Sequence, residues 1–270
     1  MAASSHCASS QPLDAHIDHP TSTDDFSTPC EKTYTYYHAG PLFTLGDLHA
    51  NVLLSRAITK FSNGKFVPLL PQDLEQRGDV TPHNIRDKDV RALLSCDLAL
   101  FTYDGAELDS GTVVEYMVAK FADIPSVILR SDFRGGGDQG SHPMGAGEPW
   151  NLMSSFWPRT KGVVIDGMLE YKKALASAAQ NANQAQQSNG GDGFDVSKVA
   201  GADMVEITAR RCVDAMEEVL KVPARMPKEL RGSVYQWLAL MPGYAEKEDG
   251  KDMDVMKDLL DRKEGKGMFS

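Results

Sequence analysis

Basic residues, cysteines and long apolar runs are all scarce in this chain, and each shortage closes off a class of function. Lys and Arg number 28 against 38 Asp and Glu, a net charge of −10 over 270 residues. That balance argues against a non-specific binder of nucleic acid or of anionic membrane surfaces. No uninterrupted apolar run approaches the roughly 20 residues a membrane-spanning helix needs, so no membrane partner is expected. The four cysteines, Cys7, Cys30, Cys96 and Cys212, stand far apart without a CxxC pair. Neither a disulfide framework nor a zinc site is indicated, and a reducing compartment is the simplest reading. The first 31 residues hold no Lys or Arg and no apolar core segment, which fails the requirements of a secretory signal and of an Arg-rich transit peptide. The expected location is the cytosol.

What is present is ordinary globular material, 41% hydrophobic and 24% charged, long enough for one to two domains at about 150 residues each. Residues 1–33 are rich in Ser, Thr, Asp and His and are expected to form a disordered polar tail. From Tyr34 the pattern alternates. Strand-like runs over 34–39, 66–69, 98–103, 126–129 and 162–165 are separated by helical stretches over 45–61, 85–95 and 111–121, and the last run is followed by another over 168–179. Buried apolar strands alternating with helices imply a five-stranded parallel sheet covered on both faces, a doubly wound, flavodoxin- or Rossmann-like α/β fold. We expect this catalytic domain to span 34–177. A Gly-rich stretch over 133–149 lacks the GK[ST] ending of a phosphate loop and reads as a mobile loop or lid. The Asn/Gln/Gly tract reads as a low-complexity linker over 178–197, followed by a helical C-terminal extension over 198–270.

In open α/β sheets, ligands bind beyond the carboxyl ends of the strands, so the strand exits carry the most information. The first exit is Tyr37-His38-Ala39-Gly40-Pro41-Leu42-Phe43, and the second leaves the amide of Gln72 beyond Leu69. The third, from Tyr103 to Glu115, is acidic. Asp109 lies in the loop and Glu115 in the first turns of the next helix, with Gly111 between them allowing close approach to the backbone. Two carboxyls facing one cleft suit cleavage of an N-glycosidic bond, in which an anionic carboxylate traps an oxocarbenium-like sugar while a protonated group assists the departing base. Environment must then separate their pKa values. The same residues also fit a capping box, Thr112-x-x-Glu115, with Asp109 an ordinary loop acid.

Taken together, the exit Tyr37 to Phe43, Phe66-Val67-Pro68-Leu69 with Gln72, Cys96-Asp97-Leu98-Ala99-Leu100 with Tyr103, Asp109-Ser-Gly-Thr-Val-Val-Glu115 and Trp150-Asn151-Leu152-Met153-Ser154 resemble the nucleoside 2-deoxyribosyltransferase family. The resemblance covers about Tyr34 to Tyr171. It implies a retaining double displacement with Glu115 as nucleophile and Asp109 as general acid and base. It further implies that Tyr37 orients the nucleophile, that Asp97 and Gln72 contact the base, and that Phe43 walls the nucleoside. Asn151 and Met153 would reach a neighbouring subunit's site, making the protein a homo-oligomer. Each residue also has a plainer role open to it. Tyr37 and Phe43 fit a core, Asp97 a helix-to-strand loop, Gln72 a solvated turn, Asn151 a helix cap and Met153 ordinary packing.

Family members end in a tyrosine whose carboxylate closes the site, whereas this chain continues to Ser270. Tyr235, Tyr244 and Phe269 are the candidates to replace that closure, and without it water would have freer access. The expected substrates are a deoxynucleoside and a nucleobase, with no metal or organic cofactor required. The alternatives are a nucleoside or nucleotide N-glycohydrolase with water as acceptor, or a non-catalytic nucleotide-binding module.

Overall fold

A computed structural model describes residues 32–74, 81–105, 107–132, 149–189, 195–244 and 251–270. Most of the polar tail, the Gly-rich stretch 133–148 and residues 190–194 of the expected linker lie outside the described residues.

Five strands, β1 (Tyr34–Ala39), β2 (Phe66–Leu69), β3 (Leu98–Thr102), β4 (Ser126–Arg130) and β5 (Thr160–Val164), form one parallel sheet in the order β2-β1-β3-β4-β5. The order reverses between β1 and β3, which places the ligand crevice at their carboxyl ends. Among the described residues there are seven α-helices: α1 (Leu45–Phe61), α2 (Pro82–Ser95), α3 (Ser110–Phe121), α4 (Gly167–Asn189), α5 (Val196–Leu220), α6 (Lys228–Leu238) and α7 (Lys251–Gly265). Local chemistry sets their ends. Thr44 and Asp47 close a capping box on α1, while Thr81 caps α2 with Pro82 at its first position. After α1 the chain turns through Asn63 and Gly64 at positive φ, where glycine is unstrained.

Side-chain alternation along the strands feeds two cores. One face buries Tyr37, Ala99, Phe101, Tyr103 and Ile128 against α2, α3, α6 and α7. The other buries Tyr36, Leu98, Leu100 and Val127 against α1 and against Ala209, Cys212, Met216 and Val219 of α5. Helices α5 to α7 are therefore layers of the sheet's own two cores, and residues 32–270 form one compact unit.

The linker expected over 178–197 is corrected in part, because α4 runs on through Asn189 and α5 begins at Val196. Ala and Gln are good helix formers, and Ala174, Ala178 and Ala182 recur at helical spacing as buried residues where α4 packs on α5. Among the described residues no helix is long and apolar enough to cross a membrane.

Candidate active site

Tyr37 lies near the end of β1, buried in the core on the α2/α3 face, and its phenol donates to Glu115 Oε1 at 2.6 Å. Glu115 projects from the second turn of α3 and is half-buried. It takes no part in capping. The N-cap of α3 is Asp109, whose Oδ2 accepts from the Thr112 backbone N–H at 2.8 Å and from the Thr112 hydroxyl at 2.7 Å. The Thr112-x-x-Glu115 capping box allowed by the sequence is thus replaced by an Asp109-x-x-Thr112 cap, which leaves Glu115 to the cleft. Gly111 serves the same end. A Cβ there would stand 3.2 Å from Asp109 Oδ2, so a side chain would crowd the cap.

The electrostatics single out Glu115. Burial pushes its carboxyl up to about 7; the Tyr37 hydrogen bond opposes the shift, and the nearby Asp89 and Asp109 add to it. Tyr37 is pushed far above its ordinary value, by burial first and then by Glu115, so it remains a donor.

Asp89, on α2, is the residue that sequence reasoning missed. Its Oδ1 is buried without a hydrogen-bond partner, and burial raises its carboxyl to about 6, Lys88 opposing. It interacts through space with both Tyr37 and Glu115. The signal available was an acid near the middle of the helix before β3, eight residues ahead of Asp97.

Asp97 is a correction. It precedes β3 at the amino edge of the sheet, is 2% exposed, accepts from the Thr35 N–H at 2.7 Å and pairs with Lys266 at 2.5 Å. Its helix-to-strand role is the one realised. The C-terminal aromatics are a second correction. Tyr235 donates to the Ala122 carbonyl at the carboxyl end of α3, Phe269 packs edge-on against Tyr235, and Tyr244 stacks with Arg91. They belong to the α2/α3/α6/α7 core.

The remaining residues lie around the rim. Phe43, just beyond Gly40, is 75% exposed, which excludes the core reading. Gly40 itself is required by close approach, since a Cβ would stand 3.0 Å from Thr102 Cβ. The Gln72 amide accepts from Asn51 and donates to the Leu48 carbonyl, each at 3.2 Å, so α1 holds it. Asn151 caps the short 3-10 turn Leu152–Ser154 by accepting from the Met153 N–H at 2.8 Å, and the Met153 side chain is largely exposed. Among the described residues no three His, Cys, Asp or Glu side chains converge as metal ligands would.

A doubly wound parallel sheet thus carries a tyrosine-held glutamate with two further carboxyls near it. Residues 36–153 match the family model described as Nucleoside 2-deoxyribosyltransferase. Among solved structures the chain is similar to a conserved protein from Enterococcus faecalis V583, at 26% identity over 50% of this chain and 91% of that one, with a TM-score of 0.40. It is also similar to the 2-desoxiribosyltransferase from Leishmania mexicana, at 25% identity over 54% of this chain and 97% of that one, with a TM-score of 0.38. A comparison with curated proteins finds no match.

Proposed function

We propose that this protein transfers a 2-deoxyribosyl group between nucleobases through a covalent glycosyl-enzyme on Glu115. The observation that carries the reading is the 2.6 Å bond from Tyr37 to Glu115 in a cleft shared with Asp89 and Asp109. Glu115 attacks the anomeric carbon as its carboxylate. The C–N bond breaks, and its electron pair leaves with the base, which takes a proton from Asp109. An incoming base then gives its proton to Asp109 and displaces Glu115 from the same carbon, restoring the original configuration. Tyr37 holds the attacking carboxylate in its ionised form and in place. Asp89, able to keep a proton up to about pH 6, adds a second protonatable carboxyl to the cleft. Phe43 supplies an apolar wall at the mouth, and Gln72 stands at the rim on the base side. Exposed Met153, with Asn151 beside it, serves the cleft of a neighbouring copy.

Hydrolysis is the second reading, favoured by one observation: Tyr235, Tyr244 and Phe269, the candidates for closing the site, are core residues packed among α2, α3, α6 and α7. Water then replaces the incoming base in the second step.

Mass spectrometry of the intact chain mixed with a 2′-deoxynucleoside tests the shared step, with a 2-deoxyribosyl adduct expected on wild type and none on Glu115→Ala. Undiminished turnover in Glu115→Ala would overturn the mechanism. Product analysis with and without an added acceptor base separates transfer from hydrolysis.

A further inference from the structure

The buried positions of α1 are Asn51, Ser55 and Ile58, one stripe at helical spacing. At the carboxyl edge of the sheet that stripe begins with an amide. A buried amide is costly unless its hydrogen bonds are made, and Asn51, 9% exposed, makes them to the exits of two different strands. Its Nδ2 donates to the Pro41 carbonyl, beyond β1, and to Gln72 Oε1, beyond β2, each at 3.2 Å. Gln72 Nε2 donates in turn to the carbonyl of Leu48, which precedes Asn51 on the same helix, at 3.2 Å. A Cβ on Gly40 would stand 3.9 Å from Asn51 Oδ1, so the buried amide lies against the β1 exit itself.

These contacts fix which way round both amides lie. A backbone carbonyl only accepts, so the NH2 of Asn51 must face Pro41 and the NH2 of Gln72 must face Leu48. The Gln72 oxygen is left for the second N–H of Asn51. Turning the Gln72 amide over would set two donors face to face at Asn51 and two acceptors face to face at Leu48. Beyond these bonds the Gln72 amide keeps one N–H and one lone pair, in an order that the buried asparagine sets. On their pairing edges, keto bases offer a carbonyl acceptor beside a ring N–H donor, whereas amino bases offer an NH2 donor beside a ring-nitrogen acceptor. With the sugar held at Glu115 the base cannot turn over to compensate. An amide free to turn over serves both kinds of base, and an amide held in one orientation serves one of them and leaves the other with unmatched polar groups.

We infer that Asn51 is a positioning residue that holds the Gln72 amide in one orientation and so makes the site discriminate between keto and amino bases. It acts through Gln72 and not on a reacting atom. The inference rests on the functional reading above, in which Gln72 stands on the base side, and deepens it to a choice of substrate class.

The test measures kcat/KM for base release, with one acceptor base present throughout, on two substrate pairs that differ in the keto or amino character of that edge: 2′-deoxyinosine with 2′-deoxyadenosine, and 2′-deoxyuridine with 2′-deoxycytidine. The full chain is compared with Asn51→Asp, Asn51→Leu, Gln72→Ala and the double variant Asn51→Asp/Gln72→Ala. Wild type is expected to favour one member of a pair by about tenfold or more. The Asn51→Asp change keeps the shape but donates nothing, and Asn51→Leu removes every polar contact. Both should bring the ratio to within about twofold of that in Gln72→Ala, and the double variant should move it no further. Lost stability alone lowers both substrates together and leaves their ratio in place, so melting temperature and ratio separate packing from positioning. A wild-type ratio near one, or the wild-type ratio retained in a folded Asn51 variant, overturns the inference. Should wild type turn over no nucleoside, the functional reading fails by itself. The hold on Gln72 is then read from its side-chain amide protons by NMR, expected to exchange slowly in wild type and to approach free-glutamine behaviour in Asn51→Asp. Free-glutamine behaviour already in wild type, or no change in Asn51→Asp, overturns it.

Discussion

At the amino edge of the sheet, the buried acids are paired with cations and backbone donors. Asp97 takes the Thr35 N–H and Lys266, and Lys263, 1% exposed, gives its ammonium to the Cys96 carbonyl. Asp123 holds Arg159 at 3.4 Å and accepts from the backbone N–H groups of Arg225 and Met226, each at 2.8 Å. At the carboxyl edge, Glu115 accepts one bond from Tyr37 and Asp89 Oδ1 accepts none, and burial raises both carboxyls toward neutral pH. One edge uses charge to fasten α7 and the chain leading into α6 to the sheet. The other buries acids beside one another, at a cost in stability.

The comparison breaks most visibly at Glu115. Glu115→Gln should lose on the order of 10⁴-fold or more in turnover and yet melt higher than wild type at pH 8. The folded-state carboxyl is raised, so its contribution to stability is intact below about pH 4.5 and is lost as pH rises through about 7. The climb is worth roughly 3 kcal/mol at most. Melting curves at pH 4.5 and pH 8 check the sign, since the gain should vanish at the lower pH.

The opposite outcome is expected at the other edge. Asp123→Ala strands the 2%-exposed Arg159 side chain and should cost about 3–5 kcal/mol, read by denaturant unfolding, with the pH profile of the surviving enzyme unchanged. Tyr37→Phe removes a hydrogen bond to a carboxylate, worth about 1.5–3 kcal/mol, and turnover should drop roughly tenfold to a hundredfold. Its rising pH limb should shift above 7, because the lost bond was holding Glu115 down. Asp89→Asn should move the same limb below 7 by removing a like charge. The smallest effect is expected for Asp97→Asn, about 1–2 kcal/mol of stability and no displacement of the pH limb. A displaced limb would place Asp97 in the cleft after all.

Strand and helix positions along the α/β unit were legible because each strand is a short apolar run bounded by turn residues and each helix carries its own caps. β1, α1 and β2 fall where the periodicity puts them. The Asp109 to Glu115 element was legible for the same reason, since a loop acid, a glycine and a helical acid at fixed spacing are local facts. Asp97 and Asp89 were not separable in this way. Both are acids ahead of the same apolar strand, and only the packing of α2 on the sheet brings Asp89 near Tyr37 while Asp97 meets Thr35 and Lys266 at the amino edge. The C-terminal aromatics misled for a related reason, because the end to which a helix returns depends on long-range burial, not on its own pattern.

The sequence by itself determined the parallel α/β architecture, the acidic loop and the tyrosine at the first strand exit, because periodicity, capping and strand-end placement act over a few residues. Which carboxyls share a cleft, which are neutralised by distant lysines and arginines, and which stay charged against each other were decided by tertiary structure alone. Burial and Coulomb interactions depend on distance in space, and that distance exists only once the chain has folded.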